Sequence, residues 1–178
     1  MKSFLIYGAG GHANVLADLI SLSGAIVLAM FSDQPPASDN PLIQPYQSSL
    51  YREVPLILGI GNNEARQQLS ATVSHTFAVL LHPAAYIAAS AVIGEGSVVL
   101  AKAVVQVNSI IGKHTIINSG VVIDHDAVIG DYAHIAGNAY VGGGAIIGKG
   151  ALIGQGAIIM RNAVIKQGEI VPPLTVVS

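Results

Sequence analysis

The 178-residue chain has no cysteine, which excludes disulfides and cysteine-ligated zinc. Charge is scarce. Charged residues make up 10% of the chain, against about 25% in an ordinary soluble domain. The net charge is −2 with no cluster of Lys or Arg, so an electrostatic footprint for nucleic acid is missing. No stretch approaches the roughly 20 apolar residues of a membrane span. The opening Met1-Lys2-Ser3-Phe4-Leu5-Ile6-Tyr7-Gly8 carries a short apolar run that ends in a glycine turn, too brief for a signal peptide. A cytoplasmic, soluble protein is expected. Its 52% apolar content is in excess for a monomer and points to outer faces covered by other subunits.

What the chain does have is a period. From Ile87 to Val171 an aliphatic β-branched residue recurs at every sixth position, fifteen times in succession. Four residues after each of the first thirteen comes a small or β-branched residue, alanine at nine of them. A helix needs a period of 3.6 and a lone strand a period of 2, so neither accounts for six. A short strand followed by a corner, repeated, does account for it: the hexapeptide pattern predicts a parallel β-helix. Three sides close one lap of about 18 residues, giving about five coils stacked at strand spacing.

The two halves differ. Residues 1–81 read as a small Rossmann-like domain and 82–178 as the β-helix. In the first half, Phe4 to Tyr7, Ala25 to Phe31, Val54 to Ile60 and Phe77 to Leu81 are predicted strands. A helix runs to Leu22 with Val15, Leu16, Leu19 and Ile20 as its apolar stripe, and a second opens at Gly61-Asn62-Asn63-Glu64 with Asn as cap. Residues 34–50, with four prolines, are predicted to be loop. Alternation of this kind implies a parallel sheet flanked by helices.

Gly8-x-Gly10-x-x-Ala13 between strand and helix is a dinucleotide-type turn, where backbone and helix N-terminus can approach an anion. His12 could donate to a diphosphate, and Asp33 stands where a ribose- or base-binding carboxylate would be. The half is too small for a full nicotinamide cofactor, so one nucleotide, such as that of a nucleotide sugar, fits better. The plain alternative is a tight turn, a solvated His12 and a loop aspartate.

In the repeats, residues 18 apart stack. Gly143 therefore lies over His125, with Gly142 and Gly144 over Asp124 and Asp126. A histidine beneath a bare glycine shelf with room for a ligand suits acyl transfer, since an N–H can steady an oxyanion. His134 faces outward from a flat side, half a coil and about 15 Å from His125 by strand spacing. The two serve one site only if a second subunit brings its copy across, and a trimer suits a three-sided prism. The plain alternatives are surface histidines, turn-forming aspartates and a tight glycine corner. His114 is read as a surface residue.

Tyr7-Gly8-Ala9-Gly10-Gly11-His12, Phe31-Ser32-Asp33, Gly59-Ile60-Gly61-Asn62-Asn63-Glu64, Asn118 and Ile123-Asp124-His125-Asp126 through His134 together resemble the nucleotide-sugar acetyltransferases of the sialic-acid O-acetyltransferase type. These are hexapeptide-repeat acyltransferases. The resemblance implies a left-handed β-helix, a homotrimer and acetyl-CoA as cosubstrate bound between subunits. It implies His125 as general base with Asp126 orienting it. It further implies His134, Gly142, Gly143 and Gln155 on the coenzyme, and Gly10, Gly11, His12, Asp33 and Asn118 on the nucleotide sugar. Members usually carry a Gly-x-Pro-Ala-Lys/Arg-like segment where this chain has Pro172-Pro173-Leu174.

The expectation is an acetyl-CoA-dependent acetyltransferase acting on an amino or hydroxyl group of a nucleotide-activated sugar. An ordinary imidazole titrates near 6.5, so activity should rise through about pH 6–8. A non-catalytic scaffold and a zinc-dependent hydratase of the trimeric β-helix type are the rival readings; no metal site is assigned.

Overall fold

The computed structural model describes residues 2–33 and 40–178. They divide into two compact units, one running to Leu80 and the other from Leu81 to Ser178.

In the first unit β1 (Ser3–Tyr7), β2 (Ile26–Phe31), β3 (Ile43–Gln44) and β4 (Leu56–Leu58) form one parallel sheet in the order β3-β2-β1-β4. α1 (Gly11–Leu22) follows β1, and α2 (Asn63–Thr72) follows β4. α1 buries Ala13, Leu16, Leu19 and Ile20, while Val15 is exposed, so the apolar stripe is displaced from the expected one. Ala13 takes Val15's place because Gly59 packs against it: a Cβ on Gly59 would stand 2.8 Å from that of Ala13. Asn62 caps α2 by accepting the N–H of Ala65, as its sequence predicts.

The fourth strand of the sheet differs from expectation. Phe77 makes only an isolated bridge to Leu56, and β5 (Leu80–Leu81) belongs to a different sheet, beside β8 (Val98–Val99). Ile43–Gln44 fills the edge instead, pairing with Met30 and Phe31. The predicted 34–50 loop therefore contains a strand, and its residues 34–39 lie outside those described.

The second unit is a parallel solenoid of two-residue strands, of about five coils. On its first face β7 (Val92–Ile93), β10 (Ile110–Ile111), β13 (Val128–Ile129), β16 (Ile146–Ile147) and β19 (Val164–Ile165) stack in that order. On the second stack β8 (Val98–Val99), β11 (Ile116–Ile117), β14 (His134–Ile135), β17 (Leu152–Ile153) and β20 (Ile170–Val171). The third holds β6 (Tyr86–Ile87), β9 (Val104–Val105), β12 (Val122–Ile123), β15 (Tyr140–Val141), β18 (Ile158–Ile159) and β21 (Val176–Val177). Registers step by 18, as in Ile123 against Val141.

The periodic aliphatics point inward. Ile117, Ile123, Ile135, Ile153 and Ile159 are fully buried, and with Ala127, Ala133 and Ala145 they make one continuous core. Burying each such isoleucine contributes about 1.5–3 kcal/mol. The small residue four places on admits the tight corner between sides.

The corners from residue 96 onward carry the same conformational demand. At each sixth position from 96 to 174 the backbone φ lies between 52° and 71°. Six of these residues are glycine, three asparagine and one is Asp126, the types that tolerate this region best. Lys102, His114, Tyr132 and Leu174 adopt it at a cost of about 1–2 kcal/mol each. The corner N–H then bonds to the coil below, as Asp126 to the carbonyl of Val107 at 3.1 Å and Gly144 to that of His125 at 3.0 Å.

His114 departs from expectation. It is 3% exposed, stacked on Tyr132 one coil above with ring centroids 5.2 Å apart and only 6° between planes. Its ring lies over Gly96, where a Cβ would collide with Nδ1. It is part of the packing, not of the surface.

Candidate active site

The corner between the third and first faces carries Asp124-His125-Asp126. Asp126 occupies the positive-φ position at 60°, which swings its carboxylate back toward its neighbour. His125 Nδ1 donates to Asp126 Oδ2 at 2.7 Å, and Asn108 of the coil below donates to Oδ1 at 3.1 Å. These two bonds, His125 first, hold the Asp126 carboxyl below its ordinary range. With Nδ1 as donor, the lone pair of the neutral ring is on Nε2.

Nε2 faces Gly143. A Cβ at that position would stand 2.8 Å from Nε2 and 2.9 Å from Cε1, so only glycine leaves the imidazole its place. The ring itself takes up much of the expected free space, and Gly142 and Gly143 are both buried. The side chain of His125 is still 44% exposed, which leaves Nε2 reachable. Gly142 N–H bonds to Ile159 and Gly144 N–H to His125. Among the described residues the N–H of Gly143 has no acceptor.

Two neighbours have a part that the sequence does not assign: Asp124, read there only as a turn former, and Tyr140, not singled out at all. Asp124 Oδ1 accepts the backbone N–H of His125 at 2.8 Å, and its Oδ2 accepts the hydroxyl of Tyr140, one coil above, at 2.8 Å. The His125 N–H, then the Tyr140 hydroxyl, holds the Asp124 carboxyl below its usual range, while the same bond pushes Tyr140 up. Tyr140 ties together the two coils that bear His125 and Gly143. Its spacing from Asp124 is 16, not 18, so stacking arithmetic alone does not pair them.

The other predicted solenoid residues gather elsewhere. His134 lies on the second face, between Ile116 below and Leu152 above. Asn118, at the corner between the second and third faces, brings its Nδ2 to 3.5 Å from His134 Nε2. Gln155 is exposed at that same corner, its carbonyl accepting the N–H of Leu174. One chain therefore offers two separate corners, with the third face between them. Among the described residues, no three His, Asp or Glu side chains are placed to hold a metal ion.

In the first unit a cavity of about 200 Å³ opens at the glycine turn, lined by Tyr7, Gly8, Ala9, Ser32, Asp33 and Ile60 among others. Gly8 has φ 134° and no room for a Cβ, which would meet the Gly59 carbonyl at 2.7 Å. Asp33 belongs to the lining, and both its oxygens lie 2.8 Å from the Tyr7 hydroxyl. Burial and this bond push Tyr7 up to about 12. Gly10, Gly11 and His12 begin α1 outside that lining, and no side chain caps the helix.

A histidine corner on six-residue sides marks the chain as a hexapeptide-repeat transferase, and the family model "Bacterial transferase hexapeptide (six repeats)" matches residues 108–143. The "PglD N-terminal domain" model matches residues 3–73. Perosamine N-acetyltransferase from Caulobacter crescentus, solved as a histidine-to-asparagine variant with CoA and GDP-perosamine, is 28% identical with a TM-score of 0.92, over 100% of this chain and 89% of that one. The acetyltransferase domain of PglB from Neisseria gonorrhoeae is 30% identical with a TM-score of 0.66, over 96% and 91%; it has also been solved with acetyl coenzyme A. UDP-N-acetylbacillosamine N-acetyltransferase from Bacillus subtilis is 34% identical over 112 residues, 53% of this chain. That match spans about half of the curated relative's length. The chain belongs to the acetyltransferases of the hexapeptide-repeat family.

Proposed function

We propose that the protein transfers the acetyl group of acetyl-CoA to an amino group of a nucleotide-activated sugar, in the cytoplasm, as a homotrimer. The observation that carries this reading is the His125 imidazole, bonded through Nδ1 to Asp126 with Nε2 free beneath Gly143. The acceptor nitrogen attacks the thioester carbonyl while Nε2 takes its proton. The carbonyl oxygen, now negative, accepts the Gly143 N–H. Collapse breaks the C–S bond, and the thiolate of CoA takes the proton back from the imidazolium. General base action of this kind typically contributes about 10²–10⁴-fold.

Asp126 keeps the ring in the tautomer that has its lone pair on Nε2. Gly142 would lie along the coenzyme with Gly143. His134 and Gln155 would meet the coenzyme from the neighbouring copy, because they stand at a different corner from His125. Asn118, beside His134, would face the sugar. Residues 1–81 would hold the nucleotide, its phosphates at Gly10, Gly11 and His12 and its base or ribose at Asp33.

The trimer has support in the outward positions of the first face. Val92, Ile110, Val128, Ile146 and Val164 form an aliphatic column between 36% and 63% exposed, which water disfavours. An amine acceptor is favoured over a hydroxyl because the named relatives are N-acetyltransferases.

The test is release of free thiol from acetyl-CoA by the purified protein with GDP-, UDP- and CDP-linked amino sugars. Release with an amino sugar and none with its hydroxyl counterpart is expected. Coenzyme binding without turnover on any of them would overturn the reading in favour of a scaffold.

A further inference from the structure

A second cavity of about 300 Å³ lies in the first unit, lined by Ser48, Arg52, Ser74 and His75. No glycine-turn residue lines it. Its floor is His75, 5% exposed and with both ring nitrogens committed. Nε2 donates to the carbonyl of Leu50 at 2.8 Å, and Nδ1 is hydrogen-bonded to the Tyr46 hydroxyl at 3.0 Å. That hydroxyl in turn accepts the N–H of Ser74 at 3.1 Å. The imidazole is thereby held at both nitrogens, with neither left for a metal.

What remains at the cavity is a set of donors. The guanidinium of Arg52 has no acceptor among the described residues; the hydroxyl of Ser48 stands with it, and that of Ser74 lies 3.4 Å from the Tyr46 hydroxyl. The other cations of the unit are engaged. Lys2 lies over the ring of Phe4 at 5.1 Å, and Arg66 donates to the carbonyls of Ile60 and Gly61 and to Asn63 Oδ1. Among the described residues no carboxylate lines the cavity.

We propose that this cavity binds a small phosphate-type oxyanion, Arg52 giving the charge and Ser48 and Ser74 the hydroxyl donors. A guanidinium fork matches two oxygens of a tetrahedral anion, and charge-assisted bonds of this type are about twice as strong as neutral ones. The volume is at the low end for small-molecule sites, which suits phosphate or a short phosphate ester and not a nucleotide. The inference stands apart from acetyl transfer.

Calorimetry on the full chain, at constant ionic strength, would use inorganic phosphate and glycerol 3-phosphate as probes. One saturable site is expected, weakened about tenfold or more by Arg52→Gln. His12→Ala should leave its affinity within about twofold, because that residue serves the glycine turn. Tighter binding of the ester than of phosphate would assign an ester to the site, and equal binding the free ion. No saturable heat, or an affinity that falls with His12→Ala and not with Arg52→Gln, overturns the proposal.

Discussion

In the solenoid a residue's neighbours are found by adding or subtracting 18; in the α/β unit they are wherever the chain happens to return. Gly143 over His125 is an instance of the first, at 2.8 Å from a would-be Cβ to Nε2. Tyr7 on Asp33 and Tyr46 on His75 are instances of the second, spanning 26 and 29 residues with no period behind them. A periodic backbone turns composition into geometry. An aperiodic one supplies a motif and leaves its partners to packing.

The comparison can be broken most severely at the stacked corner. His125→Ala should lower turnover by about 10²–10⁴-fold with little change in melting temperature, since the side chain is 44% exposed. Steady-state thiol release and calorimetry on the same preparation check both.

Gly143→Ala should cost about 10–100-fold, because its methyl must push the imidazole off Asp126. Gly137→Ala is the control: the same position of the repeat, one side earlier, where a Cβ would meet nothing closer than 3.4 Å. It should stay near wild type.

Asp126→Asn keeps the positive φ tolerable and should lower turnover about tenfold, through loss of charge on the Nδ1 side. Its folded carboxyl is held low, so its stabilising effect is complete above the ordinary carboxylate range. That effect is lost only as pH falls through the lower folded value. Acid unfolding curves of the two proteins should therefore converge at low pH.

Tyr140→Phe, which frees Asp124 without touching His125, should lower kcat a few-fold and leave the KM for acetyl-CoA unchanged.

The α/β unit answers in stability. Tyr7→Phe should cost about 1–2 kcal/mol in chemical denaturation, with no loss in the rate of the chemical step. The folded phenol is raised from 10.0 to about 12, so the wild-type advantage is whole below pH 10 and disappears as pH climbs through about 12.

Much of the solenoid was legible. The period gave the three faces, the inward aliphatics and the corner position of His125, because each depends only on spacing. His114 is buried where spacing predicts a surface residue, because an outward corner residue can be covered by its stacked neighbours, here Tyr132 and Gly96. In the first unit the glycine turn and the Asn62 cap were local signals and could be read. The Ile43–Gln44 edge strand could not, since two residues carry no periodicity and their pairing with β2 is tertiary. The Val15 error has a similar source: helical spacing admits either residue, and Gly59 decides which is covered.

The central claim is that His125 of one copy and His134 of another complete one site. The most direct test co-refolds His125→Ala with His134→Ala, each impaired alone. In randomly mixed trimers about a quarter of the interfaces carry both intact residues, and activity should rise above both parents accordingly. A mixture no more active than the average of its parents would contradict a site shared between copies.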